Sequence, residues 1–408
     1  MSDRFFKSAD ILLPNVEHME KWSVIACDQF SSQPEYWEET ERIVGDAPST
    51  LRMMLPEAWL VAGKTNEEPV ESVMERYLNE GIFRTVEDSY IYVERELSGG
   101  SYRRGLIGVI DLEAYDYAPD SKAPIRASEG TVAERLGARI ELRRVASLEM
   151  PHVMVFVHDS FDAIISTARQ CRAEKLYDFE LMQGGGHIAG WRVGDNARVE
   201  SAIDELCADA GDNVVFAIGD GNHSLAAAKL CWEEMRESLS PEERENHPAR
   251  FCLVELVNIY DESIEFEPIN RILFDTKSEG FVEEARECFS AQSGDMEYDI
   301  KLLRDGKTET VVVHISDIAS LISLAEDFAR RWQDAYGGRL DYVHWNADAV
   351  KNCRRQGCCG ILLPAMYKEE LFEGITANGS FPRKSFSMGE AWDKRYYLEC
   401  RKIKKSLE

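Results

Sequence analysis

No run in this chain approaches the roughly 20 apolar residues that a membrane-crossing helix needs. The opening residues Met1-Ser2-Asp3-Arg4-Phe5-Phe6-Lys7 hold no apolar signal core. Cysteine occurs ten times but in no CxxC pair; Cys358 and Cys359 are adjacent and the rest are scattered. Zinc-ligand spacing is therefore missing, and without an export signal disulfides are not expected. A reduced, cytoplasmic chain with no membrane partner is the expectation. Basic residues are scarce: 47 Lys and Arg stand against 74 Asp and Glu, a net charge of -27. So acidic a chain is not expected to bind nucleic acid, although a local nest of N–H groups and arginines can still hold an anion. Also missing are the G-x-x-x-x-G-K-[ST] phosphate loop, the kinase signature set, the G-x-G-x-x-G fingerprint, the G-x-S-x-G elbow and H-E-x-x-H. The commonest nucleotide and hydrolase scaffolds are thereby disfavoured. There is no internal repeat and no low-complexity tract.

What is present is ordinary globular material: 408 residues, 44% hydrophobic and 10% aromatic, enough for about two to three domains. Tyr90–Leu97 and Tyr102–Leu112 alternate apolar and polar residues across Ser98-Gly99-Gly100-Ser101, a hairpin pattern. Between about 150 and 235, strand-like and helix-like runs alternate, which predicts a mixed α/β fold. The character changes near 275, dividing the chain into 1–275 and a C-terminal α/β domain, 276–408.

The stretch that concentrates chemistry is Val215-Phe216-Ala217-Ile218-Gly219-Asp220-Gly221-Asn222-His223-Ser224-Leu225-Ala226. A buried strand runs through two glycines into an Ala-rich helix. Such a turn leaves backbone N–H groups facing outward at the helix N-terminus, which suits an anion such as phosphate. It also sets the Asp220 carboxylate three residues from the His223 imidazole. The plain alternative is an Asx-type turn that caps the helix.

Other candidates surround it. Trp22–Phe30 reads as a strand ending in Cys27-Asp28, and Asp28 is either a site acid or the cap of the next helix. Cys27 reads as a packed residue, and His152 and His158 as core or edge histidines of a buried strand. Ser128 reads as the N-cap of a helix starting near Glu129. Arg126, Glu129, Arg135 and Arg139 cluster on one short stretch and suggest a carboxylate or phosphate clamp. Arg271, after Pro268-Ile269-Asn270, is a second clamp candidate. Lys384, in Phe381-Pro382-Arg383-Lys384-Ser385, could reach a bound phosphate from a loop.

On these residues the chain resembles a prokaryotic family known as the domain of unknown function ten-fifteen. The markers are Cys27-Asp28, Ser128-Glu129-Gly130-Thr131 with Arg135, Asp220-Gly221-Asn222-His223-Ser224, Pro268-Ile269-Asn270-Arg271, and Phe381-Pro382-Arg383-Lys384-Ser385. The family commonly shows Asp-Gly-His-His-Arg in the central turn; here Asn222 and Ser224 replace its third and fifth residues. The turn is also similar to those of free serine kinases, sulfiredoxins and ParB nucleotidases. That resemblance implies a ParB/sulfiredoxin-like core within 1–275, extended by further α/β elements. It further implies Asp220 or Glu129 as base for a substrate hydroxyl, with His223, Gly221, Asn222 and Ser224 around the donor's phosphates. The turn has no cysteine, which sulfiredoxin chemistry needs.

The resulting expectation is a small-molecule phosphotransferase that moves a phosphoryl group from a nucleotide or pyrophosphate to a hydroxyl. Mg²⁺ would sit at Asp28 and Asp220, with Arg126, Arg135, Arg139, Arg271 and Lys384 offsetting phosphate charge. A phosphohydrolase or nucleotide switch, and a non-catalytic binding protein, stay open beside it. So does the oligomeric state, a homodimer included.

Overall fold

The strands Ile91–Glu96 and Tyr102–Asp111 pair antiparallel, with Tyr92 opposite Leu106 and Ile91 opposite Ile107. Because alternate side chains of a strand face opposite ways, Tyr92, Leu106 and Ile110 enter one apolar core while Ile91, Val93, Ile107 and Val109 enter another. The hairpin therefore lies in a sheet buried on both faces. In this computed structural model the described residues are 4–131, 136–150, 152–211, 213–344 and 346–404.

Among them the contacts define two units. The first comprises Met1–Ala127, Thr131–Ile264 and Glu390–Glu408. Its ten-stranded mixed sheet runs in the order Arg172–Glu180, His187–Val193, Ile91–Glu96, Tyr102–Asp111, Phe251–Asn258, Met154–Val157, Phe216–Asp220, Ile125–Ala127, Tyr115–Asp116, with Phe6–Lys7 beside Tyr102–Asp111. Met154–Val157 is parallel to Phe251–Asn258 and antiparallel to Phe216–Asp220. Val155, Val157, Phe216 and Ile218 pack with Ile164, Ile203, Leu225 and Trp232 of the helices Ala163–Gln170, Asn196–Ala210 and Asn222–Arg236. Glu255 is buried in the central strand Phe251–Asn258 and is neutralised by Arg103 at 3.5 Å and Arg395 at 2.7 Å. Gly105 leaves it room: a Cβ there would stand 2.3 Å from Glu255 Oε1.

The second unit comprises Ser128–Gly130 and Glu265–Gly389. Its five strands, Lys307–Ile315, Met296–Arg304, Cys359–Leu362, Asn270–Phe274 and Arg339–Val343, are antiparallel throughout. The chain thus divides near 264 and 389, whereas the sequence suggested one change near 275. Among the described residues no helix is long and apolar enough to cross a membrane. All ten cysteines are unbridged.

Two local expectations are corrected. In Trp22–Phe30 only Val24–Ile25 is a strand, because its partner, Tyr396–Tyr397, is equally short; Cys27 and Asp28 lie in the turn beyond. Glu129 does not open a helix. It forms a parallel bridge with Phe381, and its carboxylate accepts backbone N–H bonds from Lys384 and Ser385 at 3.1 and 2.9 Å. Those bonds hold the residue extended, and the helix that follows runs Gly137–Val145.

Candidate functional site

The strand Phe216–Asp220 passes into the helix Asn222–Arg236 through Gly221, whose φ of +84° favours glycine. A Cβ at Gly221 would also meet Val153 Cα at 3.0 Å. Gly221, at the N-cap, contributes no side-chain cap, and a helix N-terminus favours an anion. The Asp220 carboxylate folds back to accept the Gly221 N–H at 2.9 Å. Its other oxygen lies 3.2 Å from Lys394 Nζ.

Lys394 arrives from the far end of the sequence because Tyr396–Tyr397 pairs with Val24–Ile25, and the Ala26 N–H donates to the Arg395 carbonyl at 3.0 Å. The same pairing brings Asp28 beside it. Burial alone would raise the Asp28 carboxyl, but His152, the Gln29 amide, Arg139 and Lys394 outweigh it and hold the group below its ordinary range. His152 Nε2 and the Arg139 guanidinium each stand 3.9 Å from Asp28 Oδ2, and Arg139 also binds Glu57 at 2.8 Å.

His152 is nearly inaccessible, and both its nitrogens are engaged. Ser224 Oγ is 3.3 Å from Nε2 and the Tyr397 hydroxyl 2.9 Å from Nδ1. That hydroxyl also donates to Cys27 Sγ at 3.2 Å. Burial, then the Asp28 charge, pushes the Cys27 thiol up to about 12. It is a neutral packing group at pH 7, not a nucleophile. Cys27, Glu57, Arg139, His152, Ser224 and Tyr397 are among the residues that line a cavity of about 500 Å³ in the first unit.

Of the residues expected from sequence, Asp220, His223, Gly221, Asn222 and Ser224 share the turn and first helical turn, and Asp28 and Arg139 meet directly. Arg126 is buried in the strand Ile125–Ala127, where its Nε donates to the Ala123 carbonyl at 2.6 Å. Arg135 lies outside the described residues. Glu129, Arg271 and Lys384 belong to the second unit. Burial raises the Glu129 carboxyl against the opposing N–H bonds of Ser385, Lys384 and Phe386. Arg271 is wholly buried and ion-paired with Glu326 at 3.1 Å. The Lys384 ammonium stands over the Tyr342 ring, 4.7 Å from its centroid.

Sequence reasoning passed over Lys394 and Tyr397 and read His152 as a core histidine. No local motif surrounds the first two, and only the pairing of Tyr396–Tyr397 with Val24–Ile25 gives them a site to join. Among the described residues, no group of three or more His, Cys, Asp and Glu side chains is placed to hold a metal ion.

Fold and site define a mixed α/β protein that sets two carboxylates, a lysine and a histidine beside a glycine turn at a helix N-terminus. The chain belongs to the DUF1015 family, described as a protein of unknown function, whose model matches residues 10–343. No curated protein matches it significantly. Among solved structures it is similar to a conserved hypothetical protein from Pyrococcus furiosus, at 11% identity and TM-score 0.34, covering 72% of this chain and 94% of that one. It is also similar to a free serine kinase in complex with AMP, at 11% identity and TM-score 0.38, covering 72% and 91%. A C-terminally truncated SbnI from Staphylococcus aureus shares 10% identity at TM-score 0.35, covering 69% and 83%. At these TM-scores the likenesses assign no activity and place no residue.

Proposed function

We propose that the protein is a small-molecule phosphotransferase that moves a phosphoryl group from a nucleotide or pyrophosphate to a hydroxyl. One observation carries the reading: Asp220 is ion-paired with Lys394 at 3.2 Å at a glycine turn that opens a helix. Phosphoryl transfer calls for a base at the acceptor and for cations and N–H donors around the phosphates. Asp220 takes the acceptor's hydroxyl proton as the new O–P bond forms and the bond to the leaving phosphate breaks. The amide of Asn222, with His223, holds the donor's oxygens and Lys394 offsets their charge, while the Gly221 amide stays on the Asp220 carboxylate. Arg139 and His152 keep Asp28 ionised. With this goes a ParB/sulfiredoxin-like core for the first unit, supported by the sequence of the turn. Glu129, Arg126, Arg135, Arg271 and Lys384 are not needed for the step as written.

Mg²⁺ belongs to the proposal. It needs only one or two protein carboxylates beside phosphate oxygens and water, and Asp28 with Asp220, which already face a common cation, are the pair that would hold it. It would supply neutralisation of the phosphate charge.

The test is a thermal-shift screen of the full chain with ATP, ADP and pyrophosphate in Mg²⁺, then phosphorus NMR with mixed amino acids and alcohols. A donor at 100 times its Kd adds about 2.7 kcal/mol of stability. A phosphorylated co-product is the expected result. Phosphate release without one makes water the acceptor, and binding with no turnover makes the protein a non-catalytic binder; either overturns the reading.

A further inference from the structure

The cavity beside the turn is poorly matched to a small, fully polar acceptor such as serine. Its volume of about 500 Å³ lies in the range, roughly 300–1,000 Å³, of pockets that enclose whole drug-sized ligands. Met53, Met54, Met74, Leu60, Leu142 and Val153 form much of the wall. Methionine is the side chain that adapts best to apolar bodies of varied shape.

The wall also carries Thr65, Asn66, Glu67 and Glu68, and both of its arginines are already matched. Arg139 binds Glu57 at 2.8 Å, and Arg143 binds Glu149 at 2.9 Å. A ligand carboxylate seeking an arginine here would have to displace one of those partners. Ser224 Oγ and His152 Nε2, by contrast, bond each other at 3.3 Å, and a ligand hydroxyl, donor and acceptor at once, can insert between them without uncovering a charge. Ser224 stands four residues after Asp220, so a group held by Ser224 and His152 lies on the side of the helix where the turn begins.

We infer that the cavity takes an uncharged amphipathic alcohol, with its apolar body against the methionines and its hydroxyl between Ser224 and His152. That this alcohol is the phosphoryl acceptor rests on the function proposed above; that it binds does not.

Geraniol and 2-phenylethanol are the probes, with L-serine and glycerol as the polar counterparts, titrated into the full chain by calorimetry. The alcohols are expected to bind at least tenfold more tightly than L-serine. Ala138→Trp, which fills the cavity from an exposed position on its rim, should weaken geraniol at least tenfold. Leu60→Trp, also at an exposed lining position, serves if that variant fails to fold. Ser224→Ala should weaken geraniol while leaving binding of the hydroxyl-free analogue myrcene unchanged. L-serine binding more tightly than either alcohol, or geraniol binding indifferent to both tryptophans, overturns the inference. Phosphorus NMR separates it from the parent reading. Geraniol bound with no acceptor phosphorylated by any donor removes the phosphotransferase and leaves the alcohol site. L-serine phosphorylated with no alcohol bound does the reverse.

Discussion

Lys394 Nζ lies 3.2 Å from the Asp220 carboxylate, joining the C-terminal segment to the turn at the head of the helix Asn222–Arg236. The same ammonium helps hold Asp28 below its ordinary range. One cation thus pairs with Asp220 and acts electrostatically on Asp28, placed there by the two-residue ladder Val24–Ile25 with Tyr396–Tyr397.

Asp220→Asn and Lys394→Met should each lower phosphoryl transfer at least about 100-fold, the scale of losing a positioned acid, base or charge. Both side chains are partly exposed, so the ion pair itself contributes only about 0–1 kcal/mol. Urea titration beside phosphorus NMR separates the two effects: activity falls and stability holds.

Asp28 gives a pH signature. Its folded carboxyl sits below the ordinary range, so its ionisation stabilises the native state above the unfolded value, near 3.9, and that contribution is lost as pH falls through the folded value. Wild type should therefore exceed Asp28→Asn in stability most above about pH 5, with the gap closing on further acidification. Arg139→Gln removes one of the charges holding the carboxyl down, so the closing should begin at higher pH in that background. Denaturation series between pH 2.5 and 7 measure both.

Gly221→Ala should destabilise by about 1–3 kcal/mol, the cost of a left-handed non-glycine residue. The Val153 backbone contact adds to it. Gly63→Ala is the control: it shares the left-handed conformation, but nothing lies within 4 Å of the added carbon. A larger loss at Gly221, read by urea midpoint, is the expected outcome.

Glu255→Gln should cost about 3–5 kcal/mol, because it leaves Arg103 buried without its counter-charge and Arg395 with Glu399 alone. Burial by itself would raise this carboxyl, yet Arg103, Arg395 and Arg95 hold it below its ordinary range. Its stabilisation is likewise present at neutral pH and lost in acid. The variant's midpoint should accordingly change less than wild type's between about pH 5 and pH 2.5.

Much of the fold could be read locally. The alternation in Tyr102–Asp111 is the alternation of its two buried faces, and the strand, glycine and helix around Asp220 stand where their residue types put them. These features depend on neighbours a few residues away, and periodicity reports such neighbours. Glu129 was misread for the opposite reason: a serine and an acid look like a helix start, but the partners that hold Glu129 extended are Phe381, Lys384 and Ser385.

The amino-acid order alone determined the acidic character, the hairpin, the glycine turn and the apolar faces, because backbone conformation and side-chain periodicity are short-range properties. Tertiary structure alone decided that Lys394, Tyr397, His152 and Asp28 meet beside that turn. It also decided that Arg271 spends its charge on Glu326 inside the second unit. An ion pair or a hydrogen bond forms between whichever groups the fold brings within a few ångströms, and for these residues that proximity is set by strand pairings far apart in the chain.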